Sequence, residues 1–180
     1  MSTKLTNVRL CFPDLFKPSE KFNRFGAVFP VEPGSANAKA IEAAIEQAAK
    51  DKWGAKASPV LTKLYADGTV CYTKGPKTNA DGDVYNGFEG KHTLSASNQT
   101  RPTVVDVDRS PLTEADGKPY AGCYVNAIVE VWAQDNQWGR RINCTLKGVQ
   151  FARDGEAFSG SAPAAADDFD DLSVGDEALA

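Results

Sequence analysis

Two long alternating segments near the end of the chain constrain its fold more than anything else. From Tyr120 to Ala133, the residues Cys123, Val125, Ala127, Val129 and Val131 share one parity. Tyr124, Asn126, Ile128, Glu130 and Trp132 share the other. Asp135-Asn-Gln-Trp-Gly139 has turn chemistry. Arg140 to Phe151 then returns with Ile142, Cys144, Leu146 and, less regularly, Val149 facing inward. A period of two held over this length is the signature of a strand and not of a helical stripe. The pair predicts a long β-hairpin with one buried face.

The remaining segments extend this into a mainly β protein with one helix. Leu5 to Phe12 places Val8, Leu10 and Phe12 on one parity, and Phe25 to Val31 is an apolar run of strand length. Ile41, Ala44, Ile45, Ala48, Ala49 and Trp53 then fall on one helical face, with Ser35 or Asn37 available to cap its start and Gly54 to end it. Lys56 to Asn98 reads as irregular, with short β-like pieces at Thr69 to Thr73 and His92 to Ala96 around a turn-rich Gly75 to Asp83 loop. Thr103 to Val107 is a further β piece. One helix with five or six strands predicts a small β-barrel, and a partly open five-stranded barrel of the oligonucleotide-binding (OB) type fits the count.

Sites for catalysis are poorly supplied. His92 is the single histidine and reads as a surface or packing residue, since no metal-ligand or triad spacing surrounds it. Lys74-Gly-Pro-Lys-Thr78 lacks the full phosphate-loop pattern. Asn79-Ala-Asp-Gly-Asp83 resembles the start of a calcium loop but has Val84 where glycine is needed and Gly90 where the bidentate glutamate belongs. A metal-dependent nuclease would have to gather Asp81, Asp83, Asp106 and Asp108, with Asp106 and Asp108 on one face of a strand. The four cysteines are far apart with no C-x-x-C pair, which points to reduced thiols. No metal and no cofactor is expected. No run of eighteen apolar residues is present, and Met1 to Asn7 has no apolar h-region, so neither a membrane span nor a signal peptide is expected.

Basic residues interleaved with aromatics form a different pattern. Single-strand binders need a cationic groove for phosphates and aromatic faces on which bases stack. The cationic candidates are Lys74, Lys77, Lys91, Arg101, Arg140 and Arg141, and the stacking candidates are Tyr72, Tyr85, Trp132 and Trp138. Tyr72 and Phe88 also admit a core reading, and Trp132 either one. Trp138, in a polar turn beside Gly139-Arg-Arg, reads as an exposed functional aromatic.

The overall charge of −4 argues against a nucleic-acid partner only if it is evenly spread. The last fifteen residues hold six acids, Asp167, Asp168, Asp170, Asp171, Asp176 and Glu177, and no Lys or Arg. Without them, 20 basic residues face 18 acidic ones, so residues 1–165 carry +2 and the end carries −6. Small residues from Ser159 to Ala166 precede this block. The sequence therefore divides into a folded domain, residues 1–158, and a flexible linker with an acidic tail, residues 159–180. Phe169 among the carboxylates suggests more than solvation.

The chain resembles a phage-encoded family of single-stranded DNA-binding proteins. The resemblance rests on Leu5-Thr-Asn-Val-Arg-Leu-Cys-Phe-Pro-Asp-Leu-Phe16, on Arg101-Pro102 after Leu94-Ser-Ala-Ser-Asn98, on Gly117-Lys-Pro-Tyr-Ala-Gly-Cys-Tyr-Val-Asn-Ala127 and on Leu146-Lys-Gly-Val-Gln-Phe-Ala-Arg-Asp-Gly-Glu156. It implies an OB-fold similar in plan to the replication single-strand binders of podophages, whose acidic C-terminal tails compete with DNA and recruit replication proteins. The present tail departs from that pattern by ending Glu177-Ala-Leu-Ala180, with its aromatic, Phe169, internal.

The expectation is a non-enzymatic protein that coats single-stranded DNA, largely without regard to sequence, during phage replication or recombination in the host bacterial cytoplasm. Replication or recombination proteins are the expected partners of the tail, and the oligomeric state is left open between a monomer and a weak dimer. The alternative is a virion or adaptor protein using the barrel as a protein-binding module.

Overall fold

The computed structural model describes residues 2–157. The proposed linker and tail, including Asp167, Asp168, Phe169, Asp170, Asp171, Asp176 and Glu177, lie outside the described residues. The chain runs through β1 (Ser2–Arg9), β2 (Cys11–Asp14), β3 (Phe25–Val31), α1 (Ala36–Trp53), α2 (Ala57–Asp67), β4 (Tyr72–Thr73), β5 (His92–Asn98), β6 (Thr103–Val105), β7 (Tyr124–Asn136) and β8 (Gly139–Arg153).

The expected hairpin organises the sheet. β7 and β8 pair antiparallel from Tyr124 opposite Arg153 to Asn136 opposite Gly139. Cys123, Val125, Ala127, Val129 and Val131 are all buried, as are Ile142, Cys144, Leu146 and Val149. The step from Leu146 to Val149 breaks strict alternation because the register shifts between Ile128 and Val129, leaving an extra residue on β8. Such a bulge returns the side chain after it to the same face.

The sheet follows the order β1-β7-β8-β5-β3-β2, with β4 on β5 and β6 on β8. Its two ends are consecutive in the chain. Only Leu10 separates β1 from β2, and its backbone bonds to Cys123 O and Gly122 N, both at 2.8 Å. Left-handed φ values at Asn7 (53°) and Phe12 (47°) and register shifts within both strands accompany this bend. One bent strand thus pairs with β7 by its first part and with β3 by its second, curling the sheet into a partly open barrel as expected, but one of eight strands among the described residues and not five or six.

Inside lie Leu5, Leu10, Phe29, Leu94, Val125 and Leu146. Helix α1 buries Ala38, Ile41 and Ile45 against this core. Ser35, not Asn37, caps it by accepting a hydrogen bond from Ala38 N at 3.2 Å. Asn37 is instead tied to the backbone of Thr6. A second, shorter helix, α2, lies in the stretch that reads as irregular. Pro59 there sits in the first turn, where a missing N–H costs nothing, and Gly68 closes the helix in the left-handed conformation at φ 72°.

Candidate nucleic-acid interface

Alternation along the hairpin sends Val131 and Cys144 inward, so their neighbours must face out. Trp132 and Gln134 from β7, with Arg141, Asn143 and Thr145 from β8, form one wall of a cleft of about 560 Å³. Ser95 and Ser97 of β5, Thr73 of β4 and Arg24 also line it, together with Gly68, Val70, Cys71, Ile142 and Cys144. The lining contains two guanidinium groups, an indole, hydroxyls and amides, and no carboxylate.

These side chains are held in place by one another. Trp132 Nε1 donates to Thr145 Oγ1 at 3.0 Å, which fixes the indole while 44% of the residue stays exposed. Asn143 donates to Gln134 Oε1 at 3.0 Å. Arg24 Nε donates to Ser97 Oγ at 3.2 Å. Held donors and a held aromatic face match the needs of a phosphate backbone and a stacked base.

The structure brings only some of the sequence-predicted residues to this cleft. Trp132 and Arg141 line it. Lys74 follows Thr73 at its border, its Nζ 4.8 Å from the centroid of the Tyr65 ring. Trp138 stands at the hairpin tip, 80% exposed, as its polar turn predicts. Arg140 is carried to the opposite face of β8, where Nε meets Asp135 Oδ2 at 3.3 Å.

Others lie elsewhere. Tyr85 and Lys77 form a second cluster with Phe12. The Tyr85 ring meets Phe12 edge-on at 5.0 Å, and Lys77 Nζ lies 5.6 Å from the Phe12 centroid. Tyr85 borders an apolar pocket of about 370 Å³ lined also by Phe12, Pro13, Phe88 and Ala121. Lys91 pairs with Glu32, just before β5. Arg101 lies over Phe16 at 5.2 Å and reaches Leu112 O.

Tyr72 is a correction. It is 1% exposed, and its hydroxyl bonds His92 Nδ1 at 2.7 Å. Burial pushes that hydroxyl up to about 12, and the ring has no face to offer a base. His92 thereby acts as the packing histidine expected.

The strand-face placement of Asp106 and Asp108 is a second correction. Asp106 and Asp108 follow β6 in a turn and are not on one strand face, with Asp106 N bonded to Ser110 O. A hydrogen bond from Lys118 and the Val107 N–H hold the Asp106 carboxyl low. Ser110, through side chain and backbone, does the same for Asp108. Both carboxylates are engaged in shaping the turn. No group of three or more metal-ligating side chains occurs among the described residues.

Sequence reasoning missed Arg24, Gln134, Asn143 and Thr145. The last three were findable, since each shares the outward parity of Trp132 or Arg141 on its strand. Arg24 lies in a loop before β3, where no periodicity exists to place it.

Comparison with known proteins fits this geometry. A solved single-stranded DNA-binding protein from bacteriophage Enc34, in complex with single-stranded DNA, superposes with a TM-score of 0.71 at 27% identity. The match covers 88% of this chain and 89% of that one. A further solved structure of the single-stranded DNA-binding protein from bacteriophage Enc34 gives 0.69 at 27% identity, over 94% and 90%. The gp2.5 single-stranded DNA-binding protein of bacteriophage T7 shares the fold, with a TM-score of 0.54 at 8% identity, over 92% and 97%. Protein p50 of Acyrthosiphon pisum secondary endosymbiont phage 1 is 41% identical over 184 residues, spanning 98% of this chain and 97% of its own length. The model of the Enterobacter phage Enc34 single-stranded DNA-binding protein family matches residues 1–179, and this chain belongs to that family.

Proposed function

We propose that this protein binds single-stranded DNA through the β5–β7–β8 cleft, largely without regard to sequence, and coats it during phage replication or recombination in the cytoplasm of the infected host. The observation that carries this reading is the cleft itself: Arg24, Arg141 and Trp132 among hydroxyls and amides, with no carboxylate to repel phosphate. Guanidinium groups suit the phosphate backbone and the Trp132 indole suits the π-face that every base presents, so the expected sequence preference is small. Family membership supports the same ligand. It gives the virion or adaptor alternative no support.

The role in this reading is binding, which membership of a single-stranded DNA-binding family supports. The acidic block after residue 158 acts as a tethered competitor for the cationic cleft, at an effective concentration of about millimolar for a short flexible linker. Its six acids and absence of Lys or Arg support that reading. Phe169 within it offers an apolar contact to replication or recombination proteins.

Titration of intact protein with oligo-dT at two salt concentrations tests the core of the reading. Affinity falls with salt at a slope of about −0.7 per phosphate neutralised. Absence of binding, or equal affinity at both salts, refutes it.

A further inference from the structure

The β7–β8 hairpin separates two cationic surfaces. Successive strand residues face opposite sides, so Arg140 and Arg141 cannot serve the same groove. Arg141 lines the cleft described above. Arg140 lines a groove of about 410 Å³ on the α2 side, with Lys56, Lys63, Val60, Leu64 and Thr69. Asp67 also borders this groove and pairs with Lys63 at 3.2 Å.

The tip between them is braced. Asp135 accepts a hydrogen bond from Trp53 Nε1 of α1 at 2.7 Å and one from Arg140 at 3.3 Å. Asn136 Oδ1 accepts from Trp138 N at 2.9 Å and from Gln134 Nε2 at 3.3 Å. Only Gln137 and Trp138 form the loop, and Trp138 projects from it almost fully exposed. Trp138 lines neither groove. A base threaded through the cleft already has Trp132, so an exposed aromatic beyond the cleft calls for a different partner.

We propose that this hairpin is a blade that docks where single-stranded DNA meets duplex. The inference rests on the single-strand reading above. One strand enters the Arg24–Arg141 cleft, Trp138 stacks on the exposed face of the last base pair, and the α2 groove takes the backbone of the departing strand. A duplex end presents a flat π-face and two diverging phosphate chains. An exposed aromatic on a braced turn, with cations on both flanks, complements that shape.

The test compares binding of the full chain to oligo-dT and to a forked duplex with two oligo-dT arms. The fork binds about tenfold tighter, the scale of one added stack. Replacing Lys56→Gln and Lys63→Gln together reduces that excess and leaves oligo-dT affinity within about twofold, because neither lysine borders the cleft and screening weakens distant charge. In the same fork, 2-aminopurine in the terminal pair changes fluorescence on binding, and Trp138→Ala reduces that change. Equal affinity for fork and oligo-dT overturns the blade. So does a double variant that weakens both substrates alike, or a 2-aminopurine signal indifferent to Trp138. Failure to bind oligo-dT at all overturns the single-strand reading and the blade with it, whereas intact oligo-dT binding without fork preference overturns the blade alone.

Discussion

Trp132 and Tyr72 show how the same kind of ring takes opposite roles through the direction of one side chain. Trp132 faces out of β7, with its indole nitrogen satisfied by Thr145 and much of its ring exposed. Tyr72 faces the core, its hydroxyl satisfied by His92. Trp132→Ala therefore weakens oligo-dT binding by about 1–3 kcal/mol, the value of one stacked base, with little change in unfolding midpoint. Tyr72→Phe does the reverse. It lowers stability by about 0.5–1.5 kcal/mol in a denaturant titration and leaves DNA affinity unchanged. A loss of affinity in Tyr72→Phe without a loss of stability contradicts its burial. Arg141→Gln shifts the salt dependence instead, reducing its slope by about 0.7 if the guanidinium neutralises one phosphate.

Among the elements, the hairpin tip and the segment after β8 each depend on one local device. At the tip, the Trp53 indole N–H, and after it Arg140 and Lys52, hold the Asp135 carboxyl below its ordinary 3.8. A depressed carboxylate contributes stability that is present above its ordinary value and lost as pH falls through the folded one. The tip therefore keeps its bracing from neutral pH down to about 4 and loosens in more acidic solution. A Trp132→Phe, Trp138→Phe double variant leaves Trp53 as the reporter, since the chain has three tryptophans. Its fluorescence changes in the acid range and stays constant between about pH 6 and 8. A transition within that neutral range contradicts the assignment. After β8, Arg9 donates to Gly122 O and Glu156 O, and Tyr120 bonds Asp154, which pins residues 154–157. Gly122 has φ +107°, and a Cβ there would come within 2.1 Å of Glu156 O. Gly122→Ala thus displaces this segment and costs about 1–3 kcal/mol, measurable as a lowered midpoint.

For the whole molecule, the separation of charge governs behaviour. A body of +2 and a terminal block of −6 predict that deleting Ala166 to Ala180 tightens oligo-dT binding, with a gain that shrinks as salt rises. Unchanged or weaker binding after deletion refutes the competitor reading. Much of the barrel was legible in sequence because β7, β8 and α1 are long enough for periodicity to show. Helix α2 was not, although Ala57, Val60, Leu61 and Leu64 keep helical spacing, because Ser58-Pro59 imitates a break. The direction of Tyr72 could not be read from β4, a strand of two residues with no alternation to count. The cleft was half legible. Trp132 and Arg141 lie on a strand face that the hairpin pattern defines, whereas Arg24 arrives from a loop through tertiary packing.

The single bent strand at the start of the chain also sets a schedule for folding. Ser2 lies opposite Glu130 and Cys11 opposite Val28, so the first fourteen residues need partners from both ends of the described chain. On a ribosome, β1 waits unpaired until β7 has emerged, long after β3 and β5 have been able to meet. Distant pairings of this kind slow folding. Nascent chains halted before Tyr124 therefore stay protease-sensitive at β1, and protection appears only once the hairpin has cleared the exit tunnel.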